Sequence, residues 1–273
     1  MTTTDAYVLG RTDAEYERLR VQARIWQDAT ATLFDRAGLS AGARCLDVGC
    51  GPGETMRLMA ERTGPGGTVT GMDVDATLGT AAVRMLHDAG HRQCRFVAGD
   101  AIRDEPPPGG YDLVFARLLL MHVTDPVTVL RRMWEWTAPG GHLVVQDYDL
   151  RTVGVYPDLP LVDEWRRVFL GTFTTAGREI RMGHRLPALF AEAGIGEPDG
   201  IEVAGRMEPL ARAGGMLTAT YRSVAPAAIS LGVATEAQRD AWLTDMERAV
   251  VEQGGHTAMW PLMIGAYRAK ARR

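Results

Sequence analysis

The first ordered signal in the chain is a helical one. From Thr12 the apolar positions recur three and four residues apart, so that Tyr16, Leu19, Ala23, Trp26, Thr30, Leu33 and Ala37 share one face, and Gly38 closes the run. Thr12 and Glu15 have the spacing of a capping box at its start. The pattern then changes to short apolar runs separated by helical ones. Residues 43–48, 68–74, 95–98, 111–116 and 142–146 read as strands, and 54–62, 77–89 and 126–136 as helices. Thr124, Asp125 and Pro126 supply an N-cap and a proline at the first helical position for the last of these. Strands spaced by helices predict βαβ units and a parallel sheet covered on both faces.

Beyond Asp147 the rhythm is different. Leu161, Trp165, Val168, Phe169 and Phe173 predict a helix with an aromatic face, and 186–193 a short helix closed by Gly194. Residues 201–207 and 259–267 read as strands, and 235–253 as a helix with a polar face. The expected organisation is an N-terminal helical segment over 1–40, a sheet domain over 41–150, a helical insert over 151–200, and strands and a helix over 201–273 that complete the sheet.

Composition narrows the field without choosing within it. The chain has 273 residues, is 46% hydrophobic and 23% charged, and carries a net charge of −4. That charge favours neither a nucleic-acid backbone nor an anionic membrane surface. The first residues contain no apolar run of signal-peptide length, and no stretch approaches the roughly 18 apolar residues of a membrane span. Cys45, Cys50 and Cys94 are odd in number and lack a paired C-x-x-C spacing, which argues against a zinc site or a disulfide framework. The expectation is a cytoplasmic protein with reduced thiols. Of the 30 basic residues, Lys270 alone is a lysine.

The chemistry is concentrated after the first strand, in Asp47-Val48-Gly49-Cys50-Gly51-Pro52-Gly53. Glycines at the carboxyl end of a parallel strand allow a tight turn and a close approach of ligand to backbone. In the dinucleotide fingerprint the third small residue permits helix–strand packing, but aligned on Gly49 and Gly51 that place is held by Glu54. A carboxylate there would also repel a pyrophosphate, so an NAD(P)-dependent oxidoreductase is disfavoured. No Gly-Lys-Ser/Thr follows, which excludes a P-loop.

The D-x-G-x-G-x-G run resembles the S-adenosyl-L-methionine (SAM) loop of class I methyltransferases. Asp73 in GMDVD, Asp100 and Ala101 in AGDA, the segment YDLVFARLLLMHVTDP and the strand APGGHLVV resemble, in order, the later motifs of the same family over roughly 40–150. The resemblance implies a Rossmann-like, doubly wound, seven-stranded α/β sheet with a helical lid. It assigns Asp47, Gly49, Gly51 and Gly53 to the cofactor loop, Asp73 to the ribose hydroxyls, Val74 after it to the cofactor contacts, and Asp100 and Ala101 to the adenine. Ala116, Arg117 and the N-terminal Tyr7 join them. In this picture 259–267 is the final strand, antiparallel and near the sheet edge.

Methyl transfer is an in-line displacement at an activated carbon, so the protein mainly positions the nucleophile and excludes water. His122, just past the fourth strand, is the candidate general base, since an imidazole titrates near neutral pH. Asp147 is the candidate for orienting it or touching substrate. Tyr148, Trp165, Phe169, Phe173 and His184 are candidate acceptor contacts, although an aromatic stripe at helical spacing is more often core. The fourth strand ends in Ala116-Arg117 rather than in acidic ligands, so no metal is expected. The leading reading is a SAM-dependent methyltransferase acting on a small apolar or aromatic metabolite, O-methylation ahead of C- or N-methylation, in bacterial secondary metabolism. Neither nucleic acid nor membrane is expected as a partner, and the lid is compatible with a homodimer. The alternative is a SAM-binding relative that catalyses a non-methylating reaction such as a cyclisation.

Overall fold

A computed structural model describes residues 13–272. Ten strands follow one another: β1 (Arg44–Val48), β2 (Thr68–Asp73), β3 (Cys94–Ala98), β4 (Tyr111–Arg117), β5 (Thr137–Asp149), β6 (Gly154–Tyr156), β7 (Gly200–Ala204), β8 (Met207–Pro209), β9 (Thr257–Met259) and β10 (Leu262–Ala269). Interspersed with them are helices α1 (Asp13–Ile25), α2 (Gln27–Arg36), α3 (Glu54–Thr63), α4 (Ala76–Asp88), α5 (Pro126–Trp136), α6 (Pro160–Thr175), α7 (Met182–Glu192), α8 (Leu210–Ser230) and α9 (Glu236–Glu252). The described chain forms two compact units, one of 19–147, 183–203 and 263–272, the other of 13–18, 148–182 and 204–262.

The first unit is built on a seven-stranded sheet in the order β3-β2-β1-β4-β5-β10-β7. β1 is central and pairs in parallel with β2 and β4, Cys45 lying between Val69 and Leu113. Being covered on both faces, its residues from Cys45 to Val48 are all buried, an apolar run interrupted only by Asp47. Phe34 of α2 meets Phe115 of β4 edge-on at 5.1 Å and 73°, tying the helix to the sheet. The Gly140 amide donates to Lys270 O and the Lys270 amide to Gly141 O, and with Gly265 packed beside Gln146 these bonds run β10 antiparallel to β5. This is the seven-stranded, mixed, Rossmann-like sheet expected, with the antiparallel strand one place from the edge.

Lys270 closes the end of α5. Its Nζ donates to Trp134 O at 2.6 Å and Thr137 O at 2.7 Å, and stands 5.3 Å from the Trp134 ring centroid. It thereby satisfies carbonyls that the helix itself leaves unpaired and neutralises the negative end of the helix dipole.

The second unit holds a small antiparallel sheet in the order β6-β9-β8, with Gly154, Met259 and Met207 in one row. Its helical core centres on α6, where Trp165, Phe169 and Phe173 stack in sequence at 4.5 and 4.9 Å. Trp165 Nε1 donates to Leu217 O at 3.1 Å and to Thr220 Oγ1 at 3.2 Å, both on α8. Glu15 and Arg18 of α1 form a buried ion pair of 2.6 Å, and Ser223 of α8 donates to the same carboxylate. Among the described residues no helix is long and apolar enough to cross a membrane, and no group of three or more His, Cys, Asp or Glu could hold a metal ion.

Four local readings are corrected. The single helix expected from Thr12 to Gly38 is two, parted at Trp26, whose ψ of 9° leaves the helical range. A one-residue interruption barely shifts the helical phase, so the spacing runs on across it. The helix α8 had no signal because Gly214, Gly215 and Pro226 read as breakers and its alanines blur the period. Gly214 is there for proximity: a Cβ on it would lie 2.3 Å from Val250 Cγ2 of α9. The strand expected over 259–267 is divided between two sheets at Trp260-Pro261, where the proline has no N–H to give a ladder. The strand expected over 201–207 likewise ends at Ala204, and Met207 opens β8.

Candidate functional site

Strand order reverses between β1 and β4, so a ligand of this sheet belongs beyond their carboxyl ends. The chain there turns on Gly49, Gly51 and Gly53, with φ of 70°, 49° and 80°, values that L side chains rarely take. Two of the three are also packed against neighbours. A Cβ on Gly49 would lie 2.9 Å from Leu119 Cδ1, and one on Gly53 2.9 Å from Ala82 Cβ. At Gly51 a Cβ would meet nothing within 4 Å, so the middle of the turn faces open space.

Two carboxylates frame this turn. Asp73, at the end of β2, accepts from the Gly51 amide on Oδ2 and from the Asp75 amide on Oδ1, each at 2.9 Å. Asp47, at the end of β1, is 2% exposed, and its Oδ2 has no hydrogen-bond partner. Burial pushes the Asp47 carboxyl up to about 8; Arg117 pulls it down and Asp73 pushes it further up. A buried acceptor without a donor fits a ligand group that brings N–H donors and a positive charge, which favours the ionised carboxylate, whereas an ionised phosphate offers it only acceptors.

The rest of the cofactor assignment lies on neighbouring strand ends. Val74 follows Asp73 and is 58% exposed, an apolar surface beside the β2 terminus. Asp100 closes the turn after β3 by accepting from Ile102 N at 2.9 Å, and Ala101 is buried next to it. Ala116 is buried in β4, level with Val48 and Val145. Arg117 donates from Nη1 to Thr30 Oγ1 at 2.8 Å. Tyr7 lies outside the described residues.

Glu54 requires a change of argument. Its carboxylate lies 3.2 Å from Arg24 and 3.3 Å from Arg57, so two guanidiniums compensate its charge. The departure from the dinucleotide pattern therefore rests on Asp47 and on packing rather than on Glu54 as a bare charge.

After β4 the chain enters a strained bend. Leu118 has φ of +56°, the left-handed region, and a 3-10 turn follows over Leu120–His122. Asp147, fully buried two residues before the end of β5, accepts from Met121 N at 3.2 Å. This holds the bend one residue before His122, whose ring is half-buried. His184 is exposed on α7. In the other unit, Tyr148, Trp165, Phe169 and Phe173 are all buried, the last three against one another.

Sequence reading did not mark Thr30 and Gln146 as site residues. Thr30 Oγ1 donates to Gln146 Oε1 at 2.7 Å while accepting from Arg117. The only sequence signal was a polar residue on each of two otherwise apolar runs.

Three comparisons bear on this geometry. A family model described as a methyltransferase domain matches residues 39–182. The ubiquinone biosynthesis O-methyltransferase of Pseudomonas fluorescens is 37% identical over 112 residues, covering 41% of this chain and 46% of that protein. The chain thus spans about half, or less, of the curated relatives it matches. Phosphoethanolamine N-methyltransferase 2 of Haemonchus contortus, solved with phosphomonomethylethanolamine and S-adenosylhomocysteine, aligns with a TM-score of 0.56 at 18% identity, over 99% of this chain and 61% of that one. The [4+2]-cyclase SpnF aligns at 0.52 and 19%, over 90% and 82%. At those identities the structural likeness is one of fold. The family model covers more than half of the 273 residues and spans both the glycine turn and the β4–β5 bend, and on that ground the chain belongs to the methyltransferase-domain family, the class I enzymes whose cofactor is S-adenosyl-L-methionine.

Proposed function

We propose that the chain transfers the methyl group of SAM to a small, largely apolar or aromatic metabolite, with oxygen favoured over carbon or nitrogen as acceptor, in bacterial secondary metabolism. The observation that carries the reading is the buried, unpartnered Asp47 oxygen beside the open Gly51 turn. Bound there, SAM supplies a methyl group already activated on a sulfonium.

The residues of this chain bind and orient it. Asp47 takes the ammonium of the methionine end, and Gly51 leaves room for the backbone to be approached. Asp73, which braces the turn through the Gly51 and Asp75 amides, takes the ribose hydroxyls. Val74 and the Asp100-Ala101 turn hold the adenine. Asp147 fixes the bend through Met121 N, and the bend presents His122 as the base that receives the acceptor proton. In the second unit the Trp165, Phe169 and Phe173 ladder is packed upon itself. Three free, buried cysteines accord with a reducing, cytoplasmic setting.

The test is incubation with methyl-labelled SAM and fractionated bacterial metabolite extracts, following the label. Label in an organic-soluble product, with S-adenosylhomocysteine released, supports methyl transfer. SAM that binds and stays intact overturns it in favour of the non-methylating reading.

A further inference from the structure

Thr30 belongs to α2, far in sequence from the glycine turn, and is fully buried. Its hydroxyl accepts from Arg117 Nη1 at 2.8 Å and donates to Gln146 Oε1 at 2.7 Å. Gln146, itself 2% exposed, stands opposite Arg117 in the β4–β5 register, and its carbonyl accepts from the amide of the strained Leu118. A hydroxyl offers one proton and accepts through its lone pairs, so this arrangement has a fixed direction: guanidinium to hydroxyl to amide oxygen. A hydrogen-bonded network of this kind rigidifies what it holds.

We propose that Thr30 is a positioning residue of the cofactor site, holding the Arg117 guanidinium where its charge acts on Asp47. The inference rests on the cofactor reading alone and is independent of the acceptor. Among the described residues the charges that reach Asp47 are Arg117 from β4, which favours its ionised form, and Asp73 from β2, which opposes it. Cys45 and Cys50 on either side are kept as neutral thiols by burial, and α2 and β5 contribute the uncharged Thr30 and Gln146 to the relay. If Arg117 loses its hold, Asp47 ionises less readily and a cationic ligand binds only at higher pH.

The experiment is calorimetric titration of the purified protein with S-adenosylhomocysteine between pH 6 and 9, with the titration of its own α-ammonium measured separately and corrected for. In the unaltered protein, affinity rises with pH and levels off. Thr30→Val moves that inflection upward by about half a unit or more, which at pH 7 is about threefold weaker binding. Thr30→Ser, which keeps the hydroxyl, restores the profile. Gln146→Met, which removes the acceptor, shifts it in the same direction and serves if Thr30→Val fails to fold. An unmoved inflection in a folded Thr30→Val or Gln146→Met protein overturns the proposal. Absence of binding in the unaltered protein overturns the cofactor reading together with it.

Discussion

The Gly51 amide donates to Asp73 Oδ2 at 2.9 Å, so the acidic residue at the end of β2 is also a strut of the glycine turn on β1. Asp73→Ala therefore removes two functions at once. Cofactor affinity falls at least tenfold, and the fold loses about 1–3 kcal/mol because the Gly51 and Asp75 amides lose their acceptor. Asp73→Asn, which keeps an acceptor oxygen, loses affinity with a smaller stability change. Calorimetry and thermal melts on the two variants separate the effects; unchanged affinity in Asp73→Ala would falsify the ribose assignment.

Asp47 links cofactor binding to pH. Its carboxyl is raised to about 8 in the folded chain against about 4 when unfolded, so the folded state holds the proton more tightly. The stability this group contributes is complete below about pH 4 and is lost as pH rises to about 8, after which it is constant. Asp47→Asn removes that slope and raises the melting temperature above pH 8 by several degrees, while weakening SAM binding at least tenfold. Melts at pH 5, 7 and 9 decide it: a variant that melts below the parent at pH 9 would refute the assignment.

His122→Ala should lower kcat by about 10²–10⁴ and leave KM for the acceptor within a few-fold, the signature of a lost proton acceptor. Steady-state kinetics across pH, once an acceptor is in hand, make the comparison. Turnover that survives would mean that the site works by positioning alone.

Gly53→Ala tests the turn itself. A Cβ there combines a φ of +80° with a 2.9 Å approach to Ala82, for a cost of about 2–4 kcal/mol. Denaturant unfolding should show the loss, and Gly64→Ala, at φ +64° but with nothing within 4 Å, should lose clearly less.

What the chain announced, and what it kept back, divides by distance along it. Asp47 and Asp73 were legible because each ends a short apolar run next to glycine, and the spacing of those runs is local information. The Thr30–Gln146 bond joins residues 116 positions apart, and neither residue is unusual in its own segment. Glu54 was read as a bare charge because Arg24, 30 positions earlier, only becomes its neighbour once α1 and α3 are folded. The aromatic stripe on α6 was visible, but its partner was not, because the α8 residues that accept from Trp165 lie on a helix whose glycines and proline disguise it.

One consequence follows from the way Lys270 is held. The single lysine of the chain keeps its ammonium on the carbonyls at the end of α5, where an amine reagent cannot reach the nitrogen lone pair until those bonds open. Its acylation rate is then a clock for local opening where β10 meets β5 and the end of α5. In this protein one labelled side chain, counted by mass, reports the breathing of the sheet without any engineered probe.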